Sequence, residues 1–111
     1  MATEVGFSPK AVAAKLKTTK AEVAGTLGLS RDALSRASRV GASKTQMRLR
    51  QMIEILNRVD AELGSLLVAY AWFRSEPLPG FANQTPCQLV RDGKADMVHA
   101  YLDQVLEGGY A

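Results

Sequence analysis

The sequence predicts a compact all-α protein, and three observations carry that expectation. Apolar residues recur three or four apart through nearly the whole chain, with no competing strand-like alternation. Two segments open on a hydroxyl residue followed by proline, Ser8-Pro9 and Thr85-Pro86, which is how many helices begin. Glycines stand where those helices should stop or turn, at Gly28, Gly64, Gly93 and Gly108.

Taken in order, Ser8 caps a first helix opened by Pro9, and Val12 and Leu16 fall four apart on one face. Thr18 or Thr19 caps a second helix that holds Val23, Ala24 and Leu27. Gly28 supplies a turn, Leu29 a buried anchor and Ser30 the next cap, ahead of a short helix reading "RDALSRA". "VGAS" is loop. From Thr45 a long helix places Met52, Ile55, Leu56, Val59 and Leu63 on one stripe. Gly64-Ser65 breaks and recaps it, and "LLVAYAWF" then reads as a buried helix. "RSEPLPGFANQTP" is a loop punctuated by proline and glycine. Thr85-Pro86 opens a short helix that Gly93 ends. Between Ala95 and Leu106, the residues Val98, Leu102, Val105 and Leu106 line one face of a final helix. Gly108 is its expected left-handed terminator.

A chain of 111 residues makes one domain, or two small subdomains sharing a core. A composition 47% hydrophobic and 23% charged fits a folded globular protein. No apolar run approaches the ~18 residues of a membrane span. "MATEVGFSPK" lacks the apolar stretch of a signal peptide. A single cysteine, Cys87, excludes an internal disulfide framework and a cysteine-rich zinc site, so the expected compartment is the cytoplasm.

Charge divides the chain. Residues 1–58 hold eleven bases against four acids, a net +7, whereas residues 59–111 hold three bases against seven acids, a net −4. The split suggests two regions, 1–58 and 59–111, with different partners, the basic one suited to a polyanion. Chance segregation of solvated charges is the alternative.

The basic region contains "KAEVAGTLGLSRDALSRA", which has the spacing of a helix-turn-helix. Such a unit needs a small residue inside its first helix, here Ala24, and a left-handed turn four positions on, here Gly28. Apolar anchors follow at Leu29 and Leu34, with Val23 and Leu27 completing a small core. In a DNA-binding unit the second helix enters the major groove. Its candidate reading residues are Ser30, Arg31, Asp32, Ser35 and Arg36, and Arg39, Lys44 and Arg48 suit phosphate contacts. Asp32 alternatively supports its own helix N-terminus. On a helix that serves packing alone, Arg31 and Arg36 would be solvated surface. A reader this small calls for a dimer on paired half-sites.

The acidic region carries Trp72-Phe73-Arg74, Pro77, Gly80, Thr85-Pro86, Leu89, Gly93, Val98, Leu102 and Gly108-Gly109-Tyr110 in that order. This ensemble resembles the toxin-binding domain of the MbcA/ParS/Xre antitoxin family. The family often has Pro-Asn where this chain has Glu76-Pro77-Leu78-Pro79. The resemblance implies a small, usually dimeric helical antitoxin, with an N-terminal half able to repress its operon. The implied partner is a RES-domain toxin that consumes NAD or transfers ADP-ribose, neutralised by a C-terminal segment in its active-site cleft. Gly108, Gly109, Tyr110 and Ala111 are the residues expected to enter that cleft.

Burying a tyrosine removes ~150–250 Å² from water, worth at most about 4–6 kcal/mol before ordering costs. A fitted cleft on a partner could offset the ordering of two adjacent glycines, with Tyr110 as anchor. Folding back onto its own domain is the other use for Tyr110. Trp72 and Phe73 read as core, and Arg74 as a favourable charge at a helix C-terminus. Cys87 and the sole histidine, His99, have no spacing that pairs them as nucleophile and base. Asp92, Asp96, Asp103 and Glu107 share no tight face for a metal. Nothing here points to an enzyme or to a cofactor. Three readings stand: a DNA-binding antitoxin, an antitoxin that only binds its toxin, and a plain transcriptional regulator.

Overall fold

The protein was analysed as a computed structural model, which describes residues 7–35 and 42–106. Among these residues all regular structure is α-helical, as the periodicity predicts. The helices are α1 (Pro9–Lys15), α2 (Lys20–Thr26), α3 (Ser43–Leu63), α4 (Leu66–Ser75), α5 (Pro86–Arg91) and α6 (Ala95–Leu106).

Side-chain caps set most helix starts. Ser8, Thr19, Ser65 and Thr85 each accept a hydrogen bond from the backbone N–H three residues on, opening α1, α2, α4 and α5. Of the two threonines that could start α2, the cap is therefore Thr19. At α5 the capping is reciprocal: the Gln88 side chain accepts the Thr85 N–H at 2.9 Å.

The ends of α1, α2 and α5 share one device. After α2, the Gly28 N–H bonds Gly25 O and the Leu29 N–H bonds Ala24 O, with Gly28 at φ +69°. After α5, Gly93 and Lys94 repeat the pattern on Val90 O and Leu89 O. After α1 the left-handed position falls to Lys17, at φ 55°, where no glycine marks it in advance.

Three local expectations change. The segment "RDALSRA" was expected to be helical, but its described part, residues 31–35, is a run of turns. Its bonds run from Ala33 N to Ser30 O and from Ser35 N to Asp32 O, three residues back rather than four. Ser and Asp side chains compete here for the backbone groups that a helix would pair. The long helix begins at Ser43, two residues before Thr45. Helix α4 is buried on one face only: Ala69, Tyr70 and Phe73 are inside, while Leu67 and Val68 are 43% and 51% exposed.

Helix α3 is the spine. It packs on α4, α5 and α6 and sends Leu49, Met52, Ile55, Leu56 and Val59 into the centre. Those side chains share one apolar cluster with Val23, Leu27 and Leu34 from the basic region and with Phe73, Leu89, Val90 and Val98 from the acidic one. Leu78 also joins this core, although it lies in the proline-rich loop. The loop closes on itself through Leu78 N–H to Gln84 O at 3.0 Å, with Ala82 and Asn83 both left-handed.

Phe73 is the largest fully buried side chain, so Phe73→Ala should cost about 3–5 kcal/mol in urea unfolding. Val68→Ala, on the open face of the same helix, should stay within about 0.5 kcal/mol.

Candidate functional site

The candidate nucleic-acid surface hangs from the turn at Gly28. Val23, Ala24 and Leu27 anchor the turn from α2, and Ala33 and Leu34 anchor the segment after it. Around those anchors, Ser30, Arg31, Asp32 and Ser35 are exposed. Lys44 is exposed in the first turn of α3. Arg36 and Arg39 lie outside the described residues.

Arg48 does something other than wait for a phosphate. It is half-buried, and its Nη1 donates to Leu27 O at 2.8 Å and to Gly28 O at 3.4 Å. Its Nη2 donates to Arg91 O at 2.9 Å. Arg91 reaches back, with Nε on Thr26 O at 3.0 Å and Nη2 on Gly25 O at 3.1 Å. Two guanidiniums thus cover four consecutive carbonyls at the end of α2, and one of them also covers the end of α5. Cations suit helix C-termini because the terminal carbonyls are unpaired and carry the negative end of the helix dipole. The fit is close: a Cβ added at Gly28 would lie 2.9 Å from Arg91 Cγ. Sequence reading missed this pair because its partners lie 20 to 66 residues away and are backbone atoms, which leave no residue-type signal.

A second tie lies beneath the first. The Thr26 hydroxyl bonds Glu22 O at 2.9 Å and the Tyr70 hydroxyl at 3.0 Å. Tyr70 therefore fixes α2 to α4. Burial lifts the Tyr70 pKa above 10.0, and the Thr26 hydrogen bond and the Arg74 charge offset part of the shift. Arg74 lies over the Tyr70 ring, 4.6 Å from its centroid.

On the acidic side, Phe73 is fully buried and Trp72 half-buried against the core. Cys87 is buried beside Thr85 Oγ1 and Arg74 O. His99 is half-buried, its Nδ1 3.0 Å from Arg58 Nη1, while Arg58 Nη2 pairs with Asp103 at 2.8 Å. This links α3 to α6. The rings of Phe81 and Tyr101 meet edge to face at 6.3 Å, which fixes the loop on α6. Exposed apolar side chains gather at the α3–α4 junction: Leu63, Leu67 and Val68. No group of three or more metal-ligating side chains occurs among the described residues. No helix among them is long and apolar enough to cross a membrane.

Helix α4, the closed loop, the capped α5 and α6 follow one another as the residue order from Trp72 onward predicts. Residues 61–108 match the family model of the antitoxin Xre/MbcA/ParS C-terminal toxin-binding domain. Residues 61–108 thus read as an Xre/MbcA/ParS toxin-binding domain. No curated protein and no solved structure was found to match the chain. The family supports an antitoxin role, implies a toxin as partner and suggests a regulatory rather than an enzymatic protein. The toxin-binding domain begins inside α3, so it shares that helix with the basic region. The tail residues Gly108, Gly109, Tyr110 and Ala111 lie outside the described residues.

The raised Tyr70 pKa has a consequence for stability. The folded protein holds this proton more tightly than the unfolded chain does. Its contribution is therefore complete below about pH 10 and is lost as pH rises through the folded value. In urea unfolding from about pH 8 to about pH 11, Tyr70→Phe should lose less stability on alkalinisation than the native protein. At neutral pH the variant should be weaker by about 0.5–1.5 kcal/mol, since Thr26 keeps its bond to Glu22.

Proposed function

We propose that the chain is the antitoxin of a type II toxin–antitoxin system. In this reading it binds and neutralises a RES-domain toxin in the cytoplasm and represses its own operon. The observation that carries it is the toxin-binding domain at residues 61–108. The toxin's activity would be NAD consumption or ADP-ribose transfer, and the C-terminal segment would occlude its active site. Tyr110, with Gly108, Gly109 and Ala111, would supply the group that enters the cleft. Neutralisation by occlusion needs shape and apolar area and no catalytic group on the antitoxin.

The repressor half of the proposal draws on the charge split and on the turn. A net +7 on residues 1–58 attracts the phosphate backbone. Ser30, Arg31, Asp32 and Ser35 are exposed in a segment that the buried Ala33 and Leu34 anchor. Arg36 and Arg39 extend the basic stretch, and Lys44 suits a phosphate. The working unit would be a homodimer, which gives two half-sites and an affinity that one small reader cannot reach.

Two experiments test the two halves separately. Arg31→Ala and Arg36→Ala should each weaken specific promoter binding by about 1–3 kcal/mol while leaving toxin neutralisation intact. Unchanged promoter affinity in both variants would remove the base-reading assignment. Deletion of Gly108–Ala111 should leave the melting temperature unchanged and impair neutralisation in an NAD-consumption assay with the co-expressed RES-domain protein. Full neutralisation by the truncated chain at equal concentration would show that the tail is not the inhibitor.

A further inference from the structure

The turn that presents residues 30–35 is not held by the basic region alone. Its four carbonyls, from Gly25 to Gly28, are bonded by Arg48 and Arg91. Arg91 lies inside the toxin-binding domain, at the last position of α5. Arg48 closes the ring by bonding Arg91 O. The backbone direction after Gly28 therefore depends on where α5 stands. The bonds are also matched to a guanidinium. Arg91 places two separate N–H donors on two successive carbonyls, which the single ammonium of lysine cannot reproduce. Its stem sits against Gly28, leaving no room for a Cβ there, so turn and stem fit only in one arrangement.

We propose that Arg91 is a positioning residue for DNA recognition, through which the toxin-binding domain sets the angle at which Ser30, Arg31, Asp32 and Ser35 are presented. This rests on the operator-binding reading above. Arg91 acts through the turn and touches no base. Losing it lowers affinity for the specific site without changing the number of phosphates neutralised. A partner that displaces α5 or its last residue weakens the same presentation, so the two ends of the protein are linked through one side chain.

The test uses the full chain and its own promoter fragment, with affinity measured across salt concentrations. Arg91→Lys keeps the charge and loses the fork, and Arg91→Gln loses both. Both variants should lose about tenfold in specific affinity with an unchanged salt slope, and the loss caused by Arg31→Ala should shrink in either background. If Arg91 were instead a phosphate contact, Arg91→Lys would bind normally and Arg91→Gln would lower the salt slope by about one. That pattern overturns the proposal, as does wild-type affinity in both variants. Arg91 is exposed, so both variants should fold, checked by circular dichroism. Loss of folding in both would make Arg91 a plain structural tie and would also overturn the proposal. If the unaltered protein shows no salt-dependent promoter binding, the operator-binding reading fails first, and this inference fails with it.

Discussion

The last turn of α2 leaves carbonyl oxygens without the i+4 amide partner of a continuing helix, and two arginines from other parts of the chain bond them. Arg48 comes from the spine helix α3, and Arg91 from the end of α5. Together they join three helices at one point, α2, α3 and α5. A hydrogen bond from a charged donor contributes about 1.5–3 kcal/mol where water is excluded, and less at an exposed group such as Arg91. The larger effect is geometric. Gly28 must be left-handed, its α-hydrogen must face the Arg91 stem, and the chain must leave the turn in one direction. Every residue assigned to DNA lies after that exit, and the first four follow within seven residues.

The same constraint explains why the two charge regions are not two independent bodies. Helix α3 runs unbroken from Ser43 to Leu63 and lends one apolar stripe to both. Tyr70 and Thr26 fasten α2 to α4 from below the arginines. Arg58 fastens α3 to α6 through His99 and Asp103. In the proposed reading, with a toxin and an operator as partners, the two binding surfaces must stay apart while the chain folds as one small unit. A shared spine does this economically, because neither half of so short a chain could bury a sufficient core alone.

What the surface leaves open is as informative as what it closes. Leu63, at the end of α3, and Leu67 and Val68, in the first turn of α4, stand exposed around the Gly64–Ser65 break. Their exposure departs from the expectation that α4 would be buried throughout. An all-apolar helix signals burial on every face only if something covers every face, and within one chain α4 has neighbours on one side.

The sequence by itself determined the helical class, the six described helices to within a few residues at their ends, and the turns at Gly28, Gly64 and Gly93. These are local properties: a hydroxyl before a proline, a glycine after an apolar stripe, a period of 3.6. It also held the ordered pattern from Trp72 to Gly108 that marks the toxin-binding domain. The tertiary structure alone decided that Arg48 serves the backbone instead of waiting for a phosphate, that Leu78 in a proline-rich loop is core, and that residues 31–35 are turns. It also decided that Lys17 takes a left-handed position usually given to glycine. Each depends on atoms far away in sequence or on competition between a weak local helix and its surroundings. Periodicity records which residues share a face, but backbone carbonyls look alike at every position, so the partners that the arginines found could be seen only after the chain had folded.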